Sequence, residues 1–403
     1  MTDMSGFDIP AHVPEELVRD FDLYSPPGMV DGHTDDLHSV WKGVQDTMPS
    51  LFWTPRNGGH WVLTRHDDIR GVALNPKTFS NRENQIPLGV APYLVPVNVD
   101  PPEHGAFRKL LMPWFSPARL AEVTDQARKT ATTIIEELQP KGRCEFFSDF
   151  AGVMPIVAFL TLVNLPRDDL LYLRNLSSRM TPAHPEVEEA WAEMAEYVNR
   201  HIANRRANPQ NDAFSALHTA TVFGRPLTDK EIFDMSLLLV SGGLDTVVNA
   251  TCFSAEFLAR SPAHRRELIE HPERIDSAVE ELMRRFGISN LGRVVVEDTE
   301  LRGVEIRAGD AVLLPFPLAG LDETVNEDPM TVDFQRKAPK HLQFSTGPHT
   351  CIGNRLAKRE IRIFLEEWLT RIPDFELAPG HKPRMKTGVV NHIEELQLVW
   401  NPA

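Results

Sequence analysis

Cysteine is scarce in this chain: Cys144, Cys252 and Cys351 are the three among 403 residues. They are too few and too scattered for a disulfide framework or a paired-cysteine zinc site, and they suit a reducing cytoplasm. Positive charge is also short. With 42 lysines and arginines against 57 aspartates and glutamates, the net charge of −15 excludes a generally basic, nucleic-acid-binding surface. The start of the chain has no basic segment leading into an apolar run, and no apolar stretch of about 18 residues is evident elsewhere. Neither a signal peptide nor a membrane anchor is therefore expected. No internal repeat or low-complexity linker divides the sequence. Apolar residues are in ordinary supply at 42%, enough for a large core. The expectation is a single, mainly helical domain over residues 1–403 with minor β sheets.

Local patterning supports that class. The first 25 or so residues, ending at Ser25-Pro-Pro, read as an arm that orders on docking. Leu51-Phe-Trp53 and His60-Trp-Val-Leu63 flank Asn57-Gly-Gly59 as a β-hairpin. A short helix is predicted over 67–74, then a proline-rich loop over 82–99. Another helix follows, with the prolines of Asp100-Pro-Pro-Glu103 in its first turn. Helical periodicity dominates 117–208, with breaks near Pro140, Pro166 and Pro182 to Pro185. Thr228-x-x-Glu231 is a capping box that opens the longest apolar helix, expected to run to about Arg260. Helices at 275–286 and 354–369 enclose a long loop from Leu321 to Cys351. Strand-rich parts are expected at about 50–65, 294–315 and 374–400.

Four short patterns carry chemistry. Phe344-Ser-Thr-Gly347-Pro-His349-Thr-Cys351-Ile-Gly353 places a cysteine in a glycine-punctuated loop at the start of a helix. A lone cysteine is usually a small buried hydrophobe. Here the two glycines allow a tight, left-handed backbone, the helix N-terminus favours thiolate, and Phe344 is placed to exclude water. Glu281-x-x-Arg284 puts an acid and a base one helical turn apart, a spacing more common in solvated surface pairs. Ser241-Gly242-Gly243-Leu-Asp245-Thr246 puts two glycines inside a predicted helix at about 1 kcal/mol each. Either close packing or a local opening beside Asp245 and Thr246 must compensate. Finally, His104-x-x-x-Arg108, Gly292-Arg293 and His349 are separated donors able to hold buried carboxylates.

The cysteine loop resembles the haem-binding loop of the cytochrome P450 family, soluble bacterial type. Gly242 to Asn249, Phe257-Leu-Ala-Arg-Ser-Pro262, Ile269-Glu-His-Pro-Glu-Arg-Ile275 and Trp368-Leu-Thr-Arg-Ile-Pro-Asp-Phe375 are similar to the camphor 5-monooxygenase group. The resemblance implies a helical prism enclosing haem b, with Cys351 as the iron ligand and Phe344, Gly347 and Gly353 shaping its loop. It assigns His104, Arg108, Arg293 and His349 to the haem propionates, and Asp245 and Thr246 to proton delivery. Glu281 and Arg284 would be a buried pair bracing the loop. The family commonly adds an arginine just before a phenylalanine. Here Asp333 precedes Phe334, with Arg336 beyond, so the third partner is open. Leu291 stands where the group carries an aspartate.

The resemblance further implies a soluble, cytoplasmic, monomeric monooxygenase that hydroxylates a small apolar substrate with dioxygen and two electrons. The expected pocket is Leu88, Tyr93, Leu94, Val97, Met180, Leu238, Ser241, Gly242, Ile288, Val389 and Val390, largely aliphatic. Pro92 falls where the camphor enzyme has its ketone-anchoring tyrosine, with Tyr93 one residue later. A norisoprenoid or related monoterpenoid ketone is therefore expected ahead of camphor or another bicyclic monoterpene. With no flavin or iron–sulfur segment evident, electrons should come from a 2Fe–2S ferredoxin served by its own reductase. Arg65, Arg108, Lys109, Lys358, Arg359 and Arg362 are candidates for its docking face. A peroxide-driven enzyme and a haem-thiolate sensor are the competing readings; neither needs the acid–alcohol pair.

Overall fold

A computed structural model describes residues 6–181 and 184–402. Pro182 and Ala183, within the predicted break, lie outside the described residues. The hairpin forms in the expected register, with Leu51 opposite Leu63 and Thr54 opposite His60. Asn57, Gly58 and Gly59 all take positive φ to turn it. His60–Leu63 continues as the parallel neighbour of Ala311–Pro315. Asn290–Val295 and Phe79–Ser80 then add antiparallel strands to complete a five-stranded sheet. The N-terminal arm is tied to its edge. Arg19 N donates to Trp53 O at 2.8 Å, and Phe21 and Leu23 are fully buried.

Helices make up the rest of the core. Asn354–Arg371, the helix after the cysteine loop, packs against Pro117–Leu138, Ile275–Arg285 and Thr246–Arg260. Its buried Trp368 meets Phe146 and Phe150 at ring distances of 4.9 and 5.2 Å. Such edge-on aromatic pairs add about 0.5–1.5 kcal/mol each beyond burial. Arg143–Glu145, a strand absent from the sequence expectation, joins Gln397–Trp400 and Phe375–Leu377 in a second sheet. The proline pair at 101 and 102 ends just before helix Glu103–Leu111 and is not inside its first turn.

The stretch from Thr228 to Arg260 departs most from expectation. Thr228 caps its start reciprocally with Glu231, but the helix breaks, giving Asp229–Gly242 and Thr246–Arg260. Together they span 32 residues long and apolar enough to cross a membrane, contrary to the sequence reading. Most of that stretch is buried inside the fold, as a core helix would be.

Candidate functional site

The cysteine loop is built by its own hydrogen bonds. Cys351 N donates to Phe344 O at 2.9 Å, and Thr350 N donates to Gly347 O at 3.2 Å. Asn354 closes the helix start by donating its Nδ2 to Cys351 O at 2.7 Å. Gly347 has φ of 71°, and a Cβ there would come 3.0 Å from Leu74. Gly353 does not take the left-handed form expected of it; its φ is −83°. Phe344 is half-buried with Lys358 Nζ 5.6 Å from its ring centre.

Burial raises the Cys351 thiol above its ordinary pKa, while the Gly353 amide, the Arg108 guanidinium and the Asn354 amide pull it down. The helix start alone does not win; desolvation outweighs it. The side chain is nevertheless accessible. A desolvated yet accessible sulfur faces a space inside the fold and not the outer surface.

Around that space four donors converge. Arg293 is 1% exposed, its Nη1 donates to Gly292 O at 2.7 Å, and its Nη2 has no hydrogen-bond partner among the described residues. Among the described residues His349 Nε2 also has no hydrogen-bond partner, its nearest carboxylate oxygen being Asp100 Oδ1 at 4.0 Å. The His349 ring lies 4.4 Å from that of His104, and Arg108 donates to Thr350 O at 2.6 Å. Burial and the charges of His104, Arg293 and Arg108 lower the His349 pKa to about 3. Burial lowers Arg293 to about 10, with Asp100 opposing. Asp100 is a participant that sequence reasoning overlooked. It accepts from Asn81 N at 2.9 Å and its charge supports both Arg293 and His104. A buried guanidinium with an idle N–H beside an idle imidazole nitrogen is a setting for carboxylates. The residues present fit a flat cofactor carrying an electropositive metal at the sulfur and two acidic arms here.

The break between helices Asp229–Gly242 and Thr246–Arg260 carries the other chemical pattern. A Cβ on Gly243 would sit 2.2 Å from the Phe159 ring, so this glycine serves close packing. A Cβ on Gly242 would meet nothing within 4 Å, and Gly242 is exposed although its helix lies in the core. Packing and opening are thus divided between the two glycines. Asp245 accepts from Asn249 Nδ2 at 2.7 Å. Its carboxyl pKa is raised by burial, against the charge of His392 and the Asn249 bond. Asn249 was missed by the sequence reading, although its four-residue offset from Asp245 is a helical contact spacing. Thr246 starts the second half-helix.

The remaining predicted residues divide. Leu88, Val97, Met180, Leu238, Ser241, Val389 and Val390 are half-buried, while Leu94 and Ile288 are packed into the core at 7% and 1% exposure. Tyr93 is 48% exposed, with its ring centre 6.0 Å from Lys230 Nζ. Of the basic face, Arg65 pairs with Asp322 and Glu323, Lys358 with Glu280, and Arg362 with Asp276 and Glu366. Lys109 and Arg359 make no ion pair among the described residues. Glu281 and Arg284 are buried and joined by two bonds of 2.7 Å. Arg336 and the Asp333 amide complete the Glu281 shell.

Comparison with known proteins agrees with this geometry. The family described as Cytochrome P450 matches residues 156–400. A relative named probable cytochrome P450 127A1, from Sinorhizobium fredii, is 35% identical over 97% of both chains. Linalool 8-monooxygenase of Pseudomonas putida is 28% identical, covering 91% of this chain and 96% of its own. The crystal structure of CYP101J2 superposes with a TM-score of 0.89 at 36% identity, over 98% of this chain and 99% of that one.

Proposed function

The chain belongs to the cytochrome P450 family, whose members bind haem b as a haem-thiolate, and it is a monooxygenase; from that premise we propose how its own residues divide the work. Cys351 would ligate the haem iron, and His104, Arg108, Arg293 and His349 would hold the two propionates. The observation that carries this assignment is the pair of idle buried nitrogens, Arg293 Nη2 and His349 Nε2, beside an accessible, desolvated sulfur. The cofactor supplies activation of dioxygen by a thiolate-bound iron.

On the distal side, Thr246 Oγ1 holds a proton at the opening beside Gly242, and Asp245 replenishes it. Asn249 keeps the Asp245 carboxylate at the mouth of the helix break. The half-buried aliphatic side chains exclude water and hold an apolar substrate by shape.

The substrate is a small apolar, terpenoid-like molecule, with a norisoprenoid or related monoterpenoid ketone ahead of camphor. Two points support this class: the half-buried aliphatic side chains among the predicted pocket residues, and the likeness to a protein named linalool 8-monooxygenase. The Tyr93 ring lies 6.0 Å from Lys230 Nζ and is half exposed. Two electrons come from a 2Fe–2S ferredoxin kept reduced by its reductase, in the cytoplasm, to a monomeric enzyme. Lys109 and Arg359 are the docking cations, since Arg65, Lys358 and Arg362 already have carboxylate partners and Arg108 is assigned to a propionate.

A reduced carbon-monoxide difference spectrum tests the ligand. The red-shifted thiolate band appears in the wild type and is lost in C351S. Titration with camphor and with a norisoprenoid ketone tests the class; a full spin shift by camphor at low concentration would overturn the ranking. Charge reversal K109E or R359E should slow ferredoxin-driven turnover more than R362E. Equal effects would remove the docking assignment.

A further inference from the structure

A cleft of about 650 Å³ opens along helix Val187–Ala207, and none of its lining residues belongs to the sites described above. Tyr197, Arg200, His201 and Asn204 line it at i, i+3, i+4 and i+7, so they form one stripe of the helix. Helix Met154–Val163 ends at Asn164, whose φ of 57° turns the chain into Leu165 and Pro166, and these three line the cleft together with Asp169. Gln210, from the loop after the first helix, is also part of the lining. The volume lies in the range of small-molecule sites.

The hydrogen bonds already made decide what the cleft can take. Asn204 Oδ1 accepts from Arg205 Nη1 at 2.9 Å, and Gln210 Oε1 accepts from Asn164 Nδ2 at 2.6 Å. With both amide oxygens occupied, the two NH2 groups are left as donors. Arg205 is spent: it is buried, paired with Asp212, and donates to Asn164 O at 2.7 Å. Arg200 is not. Its guanidinium carbon stands 5.7 Å from the Tyr197 ring centre, and it forms no ion pair among the described residues. Asp169 is the complementary group. Its Oδ2 accepts from the Tyr197 hydroxyl at 2.8 Å, while its Oδ1 has no hydrogen-bond partner among the described residues. The cleft thus offers three donors, one of them cationic, and one free carboxylate oxygen.

We propose that this cleft binds a small hydroxylated phosphate, its phosphate held by Arg200, Asn204 and Gln210 and a hydroxyl donated to Asp169. A phosphate has acceptor oxygens enough for several donors, and its charge meets a guanidinium that no carboxylate neutralises. The hydroxyl gives Asp169 the donor it lacks, and a bare anion has none to give. The cleft is also larger than a lone phosphate fills. His201 reports on occupancy. Its ring lies 4.5 Å from that of Tyr197, and its Nε2 is 3.9 Å from Asp169 Oδ2. Burial lowers its pKa; Asp169 and Asp212 oppose this, and Arg205 and Arg200 add to it. An anion seated on Arg200 brings negative charge close to the ring and raises that pKa.

Glycerol 3-phosphate, inorganic phosphate and glycerate test this, each added at constant ionic strength to the haem-loaded, reduced, carbon-monoxide-bound protein. Calorimetry gives the affinities, and the carbon resonances of the His201 ring give its titration. Glycerol 3-phosphate should bind saturably, tighter than inorganic phosphate, and raise the His201 pKa by about half a unit. R200Q and N204D should each weaken it on the order of tenfold and leave the carbon-monoxide band unchanged. D169N should erase its advantage over inorganic phosphate. A response that chloride reproduces, or unaltered binding in R200Q, overturns the site. Tighter binding of glycerate overturns the choice of phosphate, and an advantage that survives D169N overturns the hydroxyl contact.

Discussion

Arg336 reaches the carboxylate that Arg284 already holds: its Nε lies 3.1 and 3.2 Å from the two oxygens of Glu281. Its other nitrogens donate to the carbonyls of Glu327, Asp328 and Thr331. Arg284 meanwhile donates to the carbonyls of Gly320, Pro329 and Thr331. Two arginines thus anchor one carboxylate and stitch down the irregular chain that leads to Cys351.

The two arginines should not be equivalent on removal. R336A leaves Glu281 with Arg284 and the Asp333 amide, and should cost about 1–3 kcal/mol. R284A removes the paired donor of the buried Glu281 carboxylate and also the donor to the carbonyls of Gly320, Pro329 and Thr331, and should cost about 3–5 kcal/mol. Chemical denaturation of haem-loaded protein measures both, and the reverse order would refute the division.

Gly242 and Gly243 should fail differently. In G243A the new methyl overlaps the Phe159 ring, and relief requires shifting a core aromatic at a cost of about 1–3 kcal/mol. G242A meets no atom. Its stability should change little, while the methyl occupies the opening and weakens the substrate-induced spin shift. Thermal denaturation and spectral titration of the two variants separate these effects.

That division shows where the sequence was readable. Ser241 to Thr246 announced an unusual helix, because two glycines there are unfavourable without compensation. It did not reveal that Phe159, from a helix more than 80 positions earlier, fills the space beside one of them. The same limit applies to charge. Arg65, Lys358 and Arg362 looked like a basic face because their neutralising partners Glu323, Glu280 and Asp276 lie on other elements. Local signals were reliable where the contact is itself local. The Thr228–Glu231 box and the Glu281–Arg284 pair each close within one turn. Gly353 was misjudged because a residue next to a ligand loop need not carry its turn; Ser345 and Gly347 take the positive φ instead.

Acid should weaken the fold through His38. Its ring is buried between Phe253 and Phe286, and Nε2 is held 2.8 Å from Gly287 O. Burial, then repulsion from Arg285, lowers its pKa from 6.5 to about 3, against the Gly287 bond and Asp36. Below pH 6.5 the unfolded chain takes up a proton that the folded chain refuses. Stability should therefore fall as pH drops from 6.5 toward 3, by at most about 1.4 kcal/mol per pH unit from this residue. Urea titrations at pH 7, 6 and 5 measure the slope. H38N should lower stability at pH 7 yet flatten that slope; an equally steep slope would assign the acid sensitivity elsewhere.

Arg293 sets the haem-free and haem-loaded proteins against each other. Its guanidinium is 1% exposed and has an idle Nη2, and Asp100 is the carboxylate whose charge reaches it. Without a second anion this is a buried charge only partly compensated, a condition that a same-sized apolar side chain relieves. R293M should therefore stabilise the haem-free protein by about 1–3 kcal/mol. In the haem-loaded protein the same change removes a charge-assisted partner from a propionate, so haem should leave faster. Denaturant midpoints of the haem-free forms, and haem transfer to an acceptor globin from the loaded forms, give the two numbers. If R293M destabilises both states alike, Arg293 is a structural side chain and the propionate assignment falls.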